Sequence, residues 1–89
     1  MDLWQAKEWL RVDNDDNNYI IESLLEATNE YIEQATGVKC NQRDEDGHEI
    51  PDRPLVITIK KFLLSLWYDP TQADTDKLQR AIDSLLKLL

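Results

Sequence analysis

Between Ile21 and Gly37 the chain has few ways to fold. Ile21, Leu24, Leu25, Thr28, Tyr31, Ile32 and Ala35 recur at three- and four-residue steps, which lines one face of an α-helix and scatters across both faces of a strand. Gly37 stands where a left-handed helix cap belongs. The spacing predicts a helix over 17–36, capped by Asp15 or Asp16, whose carboxylates also suit its positive end.

The same period organises the rest. Leu3, Ala6, Trp9 and Leu10 predict a first helix over 3–11, with Asp2 and Gln5 placed as a reciprocal capping box. Pro54 suits a first turn and Asp69-Pro70 a stop, which sets a third helix at 54–68. Its polar positions are Thr58, Lys60, Lys61 and Ser65 alone. A helix so apolar is central to a bundle or buried against another subunit. Leu78, Ala81, Ile82, Leu85 and Leu86 predict a fourth helix over 75–88, ending in Leu88-Leu89, which should dock on the core or on a neighbour. Residues 38–53 have no period and read as a long loop; Asp46-Gly47 is a favoured hairpin turn, but its flanks lack apolar alternation. The expected fold is all-α, one small bundle of about four helices with a long loop between the second and third.

The chain has 89 residues and a net charge of −8. A domain of this size buries about 60–65% of the surface its unfolded chain exposes, so its core is thin. The charge argues against a free-standing nucleic-acid binder, whose affinity comes from Lys and Arg. It is compatible with a wall that lets DNA pass. No apolar run is long enough to span a bilayer, and the acidic opening is not that of a secretory signal. Cys40 is the single cysteine; it reads as a spectator thiol in a reducing compartment.

Chemistry-bearing patterns are weak. Asp13 to Asn18 suggests a calcium loop, but an EF-hand counted from Asp13 needs Gly and Glu where Asn18 and Leu24 stand. Asp44, Glu45, Asp46 and Glu49 surround His48 on a segment with no rigid apolar shell, which reads as a solvated loop. No catalytic, cofactor-binding or metal-binding residue is expected. The informative cluster is Glu22, Glu26, Glu30 and Glu33, an unbroken acidic stripe on the second helix with no Lys or Arg between 17 and 36. Its plain reading is a solvated face. Its sharper reading is a contact with a basic surface supplied by Lys60, Lys61, Arg53 or Arg80. Trp67 and Tyr68, with Trp4 and Trp9, serve packing first and partner anchoring second.

The runs Ala6-Lys7-Glu8-Trp9-Leu10-Arg11-Val12-Asp13, Asp15-Asp16, Ile20-Ile21-Glu22-Ser23-Leu24-Leu25-Glu26-Ala27 and Tyr31-Ile32-Glu33-Gln34-Ala35-Thr36-Gly37 together resemble the tailed-phage head–tail connector proteins. The segment from Ile59 to Tyr68 is similar to that family's next helix. After it the pattern departs: Asp69-Pro70-Thr71-Gln72 stands where members carry an Arg and a Pro-Gly turn. The resemblance implies a structural subunit without catalysis or cofactor. It implies a homo-oligomeric ring of about a dozen copies, set under the portal protein, extending the DNA channel and docking a stopper or tail-completion protein. It places the subunit at the head–tail junction of the virion and in the host cytoplasm during assembly, with no membrane. Candidate subunit or partner contacts are Glu22, Glu26, Glu30, Glu33, Lys60, Lys61, Trp67, Tyr68, Leu88 and Leu89. The rival reading is a small acidic regulatory or DNA-mimic protein that binds a basic partner.

Overall fold

The computed structural model describes residues 1–40, 42–71 and 74–89; Asn41 of the expected loop and Gln72 of the departing turn lie outside them. Four helices follow in order: α1 (Leu3–Leu10), α2 (Asn18–Thr36), α3 (Pro54–Tyr68) and α4 (Thr75–Leu86). The described residues form no strand, so the fold is the all-α bundle that the periodicity predicts.

Local chemistry sets most of the ends. Asp2 accepts from the Gln5 amide at 2.9 Å while the Gln5 side chain accepts from the Asp2 amide at 3.0 Å, closing the capping box. Gly37 ends α2 at φ 78°, with its amide donating to the Glu33 carbonyl. Pro54 opens α3 and Asp74 caps α4 through the Lys77 amide. Arg11 ends α1 in the left-handed region at φ 58°, a conformation that glycine adopts more cheaply.

α3 packs against all three other helices. With α2 and α4 it encloses one core of Ile32, Val56, Ile59, Leu63 and Ile82. With α1 and α2 it encloses a second of Ala6, Ile21 and Leu64. Most of its apolar circumference is therefore accounted for within one chain, with Phe62, Leu66 and Trp67 left partly exposed. Ala35, expected on the buried face of α2, is exposed, because that face has left the core after Ile32. Helix α4 ends at Leu86, and a turn then returns Leu89 to the first core while Leu88 stays 67% exposed.

Two buried cations hold the segments between helices. Lys60 is 1% exposed, and its Nζ donates to Asp52 Oδ2 at 2.5 Å, pinning the end of the 38–53 segment to α3. The Met1 amino group lies 3.9 Å from the same oxygen. Within that segment the Asp44 and Ile50 amides donate to the carbonyls of His48 and Gln42, so that Arg43 and Glu49 face each other as a single antiparallel backbone bridge. The Asp46-Gly47 turn therefore closes a short hairpin-like loop without a regular strand.

Lys7 is 4% exposed, and its Nζ donates to Asp15 Oδ1 at 2.8 Å. This corrects the capping expectation. Asp15 serves Lys7 and the Asn18 side chain, while Asn17 is the N-terminal cap residue of α2 and makes no side-chain capping bond. The hydrogen bond from Lys7, then that from Asn18, hold the Asp15 carboxyl below the usual carboxylate range.

Each device has a measurable consequence. Lys60→Met removes the closest cation from the buried Asp52 carboxylate, leaving the Met1 amino group at 3.9 Å, and is expected to cost up to about 3–5 kcal/mol, whereas Lys60→Met combined with Asp52→Leu should recover part of it. Urea unfolding of both variants reads the difference. Asp15 favours its charged form in the fold, so its contribution is present above the ordinary carboxylate pKa and fades as pH falls through the lowered value. Wild-type protein should therefore lose more stability than Asp15→Asn between about pH 5 and pH 3. Equal losses would assign the acid sensitivity elsewhere.

Candidate functional site

The surface divides into a reactive-looking loop that is poorly built for chemistry and helix faces that are well built for contact. In the loop, Asp44, Asp46 and His48 can bring one ligand atom each within 4.8 Å of one another, and all three are exposed. Asp44 Oδ1 already accepts from the Asp46 and His48 amides at 3.0 and 2.9 Å. Its other oxygen sits 3.7 Å from His48 Nδ1. The carboxylate thus organises its own turn, and no apolar wall shields the group, which is what a general base would require. Burial pushes the Cys40 thiol up from its ordinary pKa, so it is held as thiol, the less nucleophilic form.

The ten candidate contact residues separate clearly. Glu22, Glu26, Glu30 and Glu33 all stand exposed along the outside of α2. Among the described residues no cation lies within ion-pair distance of any of them. Leu88 is also at the surface. Lys60 is a correction: its length and charge suggested a surface contact, but it is buried and committed to Asp52.

Lys61, Trp67, Tyr68 and Leu89 are half-buried and have work inside the chain. The Lys61 ammonium lies 5.2 Å from the Trp9 ring centre, and Trp9 Nε1 donates to both the Lys61 carbonyl and Ser65 Oγ at 2.9 Å. Trp67 meets Tyr31 edge to face, centres 5.7 Å apart, and so locks α2 on α3. Tyr68 accepts from Asn17 Nδ2 at 3.0 Å, which fixes the start of α2. Leu89 packs on the first core.

Three surface features go beyond the expectations drawn from the residue pattern. Tyr19 is 80% exposed at the head of the acidic stripe, and Trp4 is 69% exposed beside Lys7. An apolar cleft of about 730 Å³ opens between α1, α3 and α4, lined by Trp9, Leu10, Phe62, Leu78 and Ala81 and rimmed by Lys77. The cleft depends on how α4 tilts away from α1, which no helical wheel contains. The exposure of Tyr19 was available in principle, since it lies on the same wheel position as the glutamates.

The stripe carries a standing electrostatic cost. Glu22–Glu26 and Glu26–Glu30 are like-charge pairs at four residues and Glu30–Glu33 at three, each destabilising by roughly 0.2–0.5 kcal/mol at low salt. Converting Glu26 and Glu30 to Gln removes all three. The isolated subunit is expected to gain about 1 kcal/mol in urea unfolding, with the gain shrinking as salt is added. A loss of stability instead would mean that the glutamates have stabilising partners.

With this geometry in view, comparison with known proteins is specific. The family model described as phage gp6-like head-tail connector protein matches residues 1–86. Searches of curated proteins and of solved structures find no match. The family match runs through all four helices, from the capping box of α1 to the last turn of α4. The chain belongs to the phage gp6-like head-tail connector family.

Proposed function

We propose that the protein is a structural subunit of the phage head–tail junction that assembles with copies of itself into a ring of about a dozen. The ring sits beneath the portal protein of the capsid, continues its DNA channel and offers the far side to a stopper or tail-completion protein. The observation that carries this reading is the family match over residues 1–86, which leaves only three residues of the chain outside it.

Physical features support the assembly. The chain exposes 6280 Å², against about 5,400 Å² for a compact monomer of its mass. Its extents are 41 × 32 × 18 Å, so in its thin direction it is about two helices deep. A slab of that kind gains by covering its faces with neighbours. No helix among the described residues is long and apolar enough to cross a membrane, which suits a subunit that assembles in the host cytoplasm and ends in the virion. The net charge of −8 suits a lumen through which DNA slides without being gripped. The role needs no cofactor and no reaction; the subunit works by shape and contact.

Native mass spectrometry of the purified protein, alone and mixed with the portal protein from the same genome, tests the proposal. A closed ring, free or seated on the portal, is the expected result. A monomer that ignores the portal would overturn it and favour an acidic protein that binds a basic partner.

A further inference from the structure

We propose that neighbouring copies join by setting the acidic outer face of α2 in one subunit against a row of three cations, Lys77, Arg80 and Lys87, on α4 in the next. This rests on the ring reading above and names the surfaces that would build it.

The two rows are opposite in sign and similar in spacing and length. Glu22, Glu26, Glu30 and Glu33 follow Tyr19 on α2 at steps of three, four, four and three, all exposed. On α4, Lys77, Arg80, Ser84 and Lys87 lie at steps of three, four and three, opposite Leu78, Ile82 and Leu85, and are likewise exposed. The rows are each about 15–17 Å long at 1.5 Å per residue. Among the described residues none of these seven charged side chains forms an ion pair within its own chain. Exposed carboxylates flank the cation row: Asp76 lies four residues before Arg80, and Asp83, which accepts from Gln79, lies three after Arg80 and four before Lys87.

Each row also ends on an exposed apolar side chain, Tyr19 at the start of α2 and Leu88 just after α4. Laid antiparallel with Tyr19 level with Leu88, Glu30 lies level with Lys77, Glu26 one residue from Arg80 and Glu22 two residues from Lys87, while Glu33 lies level with the capping Asp74. Antiparallel helices also oppose their dipoles favourably.

The occupant is a second copy, because the complement to each face is on the same chain. Pairing α2 with α2 would set acid on acid, and α4 with α4 base on base. Pairing α2 with α4 leaves one free face of each kind on a growing assembly, which is the condition for a head-to-tail contact that closes into a ring. Most of the apolar surface of α3 is already packed against the other three helices.

Charge exchange tests the pairing. Glu26→Lys with Glu30→Lys sets cations at the two central sites of the α2 row against Lys77 and Arg80, and Lys77→Glu with Arg80→Glu sets carboxylates on α4 against Glu26 and Glu30. All four sites are exposed, so helix content by circular dichroism should be unchanged. Assembly is read by native mass spectrometry and light scattering at low salt, with and without the portal protein. Wild-type protein should form rings. Each double variant alone should need at least about tenfold more protein to assemble. An equimolar mixture of the two, and the single chain carrying all four changes, should return to near the wild-type midpoint.

Double variants that assemble like wild type would overturn these faces while leaving the ring reading intact. Loss of assembly that neither the mixture nor the fourfold variant restores would overturn the charge pairing. Wild-type protein that stays monomeric with and without the portal would overturn the ring reading, and this inference with it.

Discussion

The structure depends on one helix serving two cores. α3 turns Ile59 and Leu63 toward α2 and α4, and Leu64 toward α1 and α2. In a chain of 89 residues there is not enough apolar surface for each pair of helices to have its own core. Sharing α3 solves this at the expense of thickness, because helices laid around a single spine make a slab. Two large faces of the molecule remain open to solvent, and their chemistry decides what the protein can meet.

Burying cations sharpens that chemistry. Ten Lys and Arg residues face eighteen Asp and Glu, but Lys7 and Lys60 are inside. Lys60 is spent on Asp52 and so anchors the 38–53 segment; Lys7 is spent on Asp15 and so anchors the turn between α1 and α2. Such pairs are poor sources of net stability compared with apolar substitutes, but they penalise any arrangement that separates them. The outer surface is correspondingly more acidic.

A connector of this kind has little use for a deep pocket or a reactive group. The loop with Asp44, Asp46 and His48 is exposed and satisfied by its own amides, while Cys40 is kept as thiol. What the fold does supply is stiffness: edge-to-face aromatics, a doubly bonded Trp9 and two interior ion pairs hold the helix faces in fixed relation. That rigidity suits a subunit whose neighbours must meet it in one orientation. The like-charge repulsion along α2 fits the same picture, since a face uneasy alone is eased by a partner of opposite sign.

Helix positions were readable from residues alone because they follow from short-range chemistry. The capping box of Asp2 and Gln5, the left-handed Gly37 and Pro54 at the head of α3 each act within a turn of the residues they order. The acidic stripe was readable for the same reason, as was the family likeness, which rests on the order of these local signals. What the sequence could not decide was which side chains lie inside when helices meet at a distance. Lys60 carried every mark of a surface residue until Asp52, eight positions away in an irregular segment, was found beside it. Asp15 had the chemistry of a cap and was claimed by Lys7 across the turn. The apolar girth of α3 was compatible with a neighbouring subunit, and it took tertiary packing to show that three helices of its own chain take up most of it. Local propensity depends on neighbours a few residues apart and is written in the chain; burial depends on segments that only tertiary packing brings together.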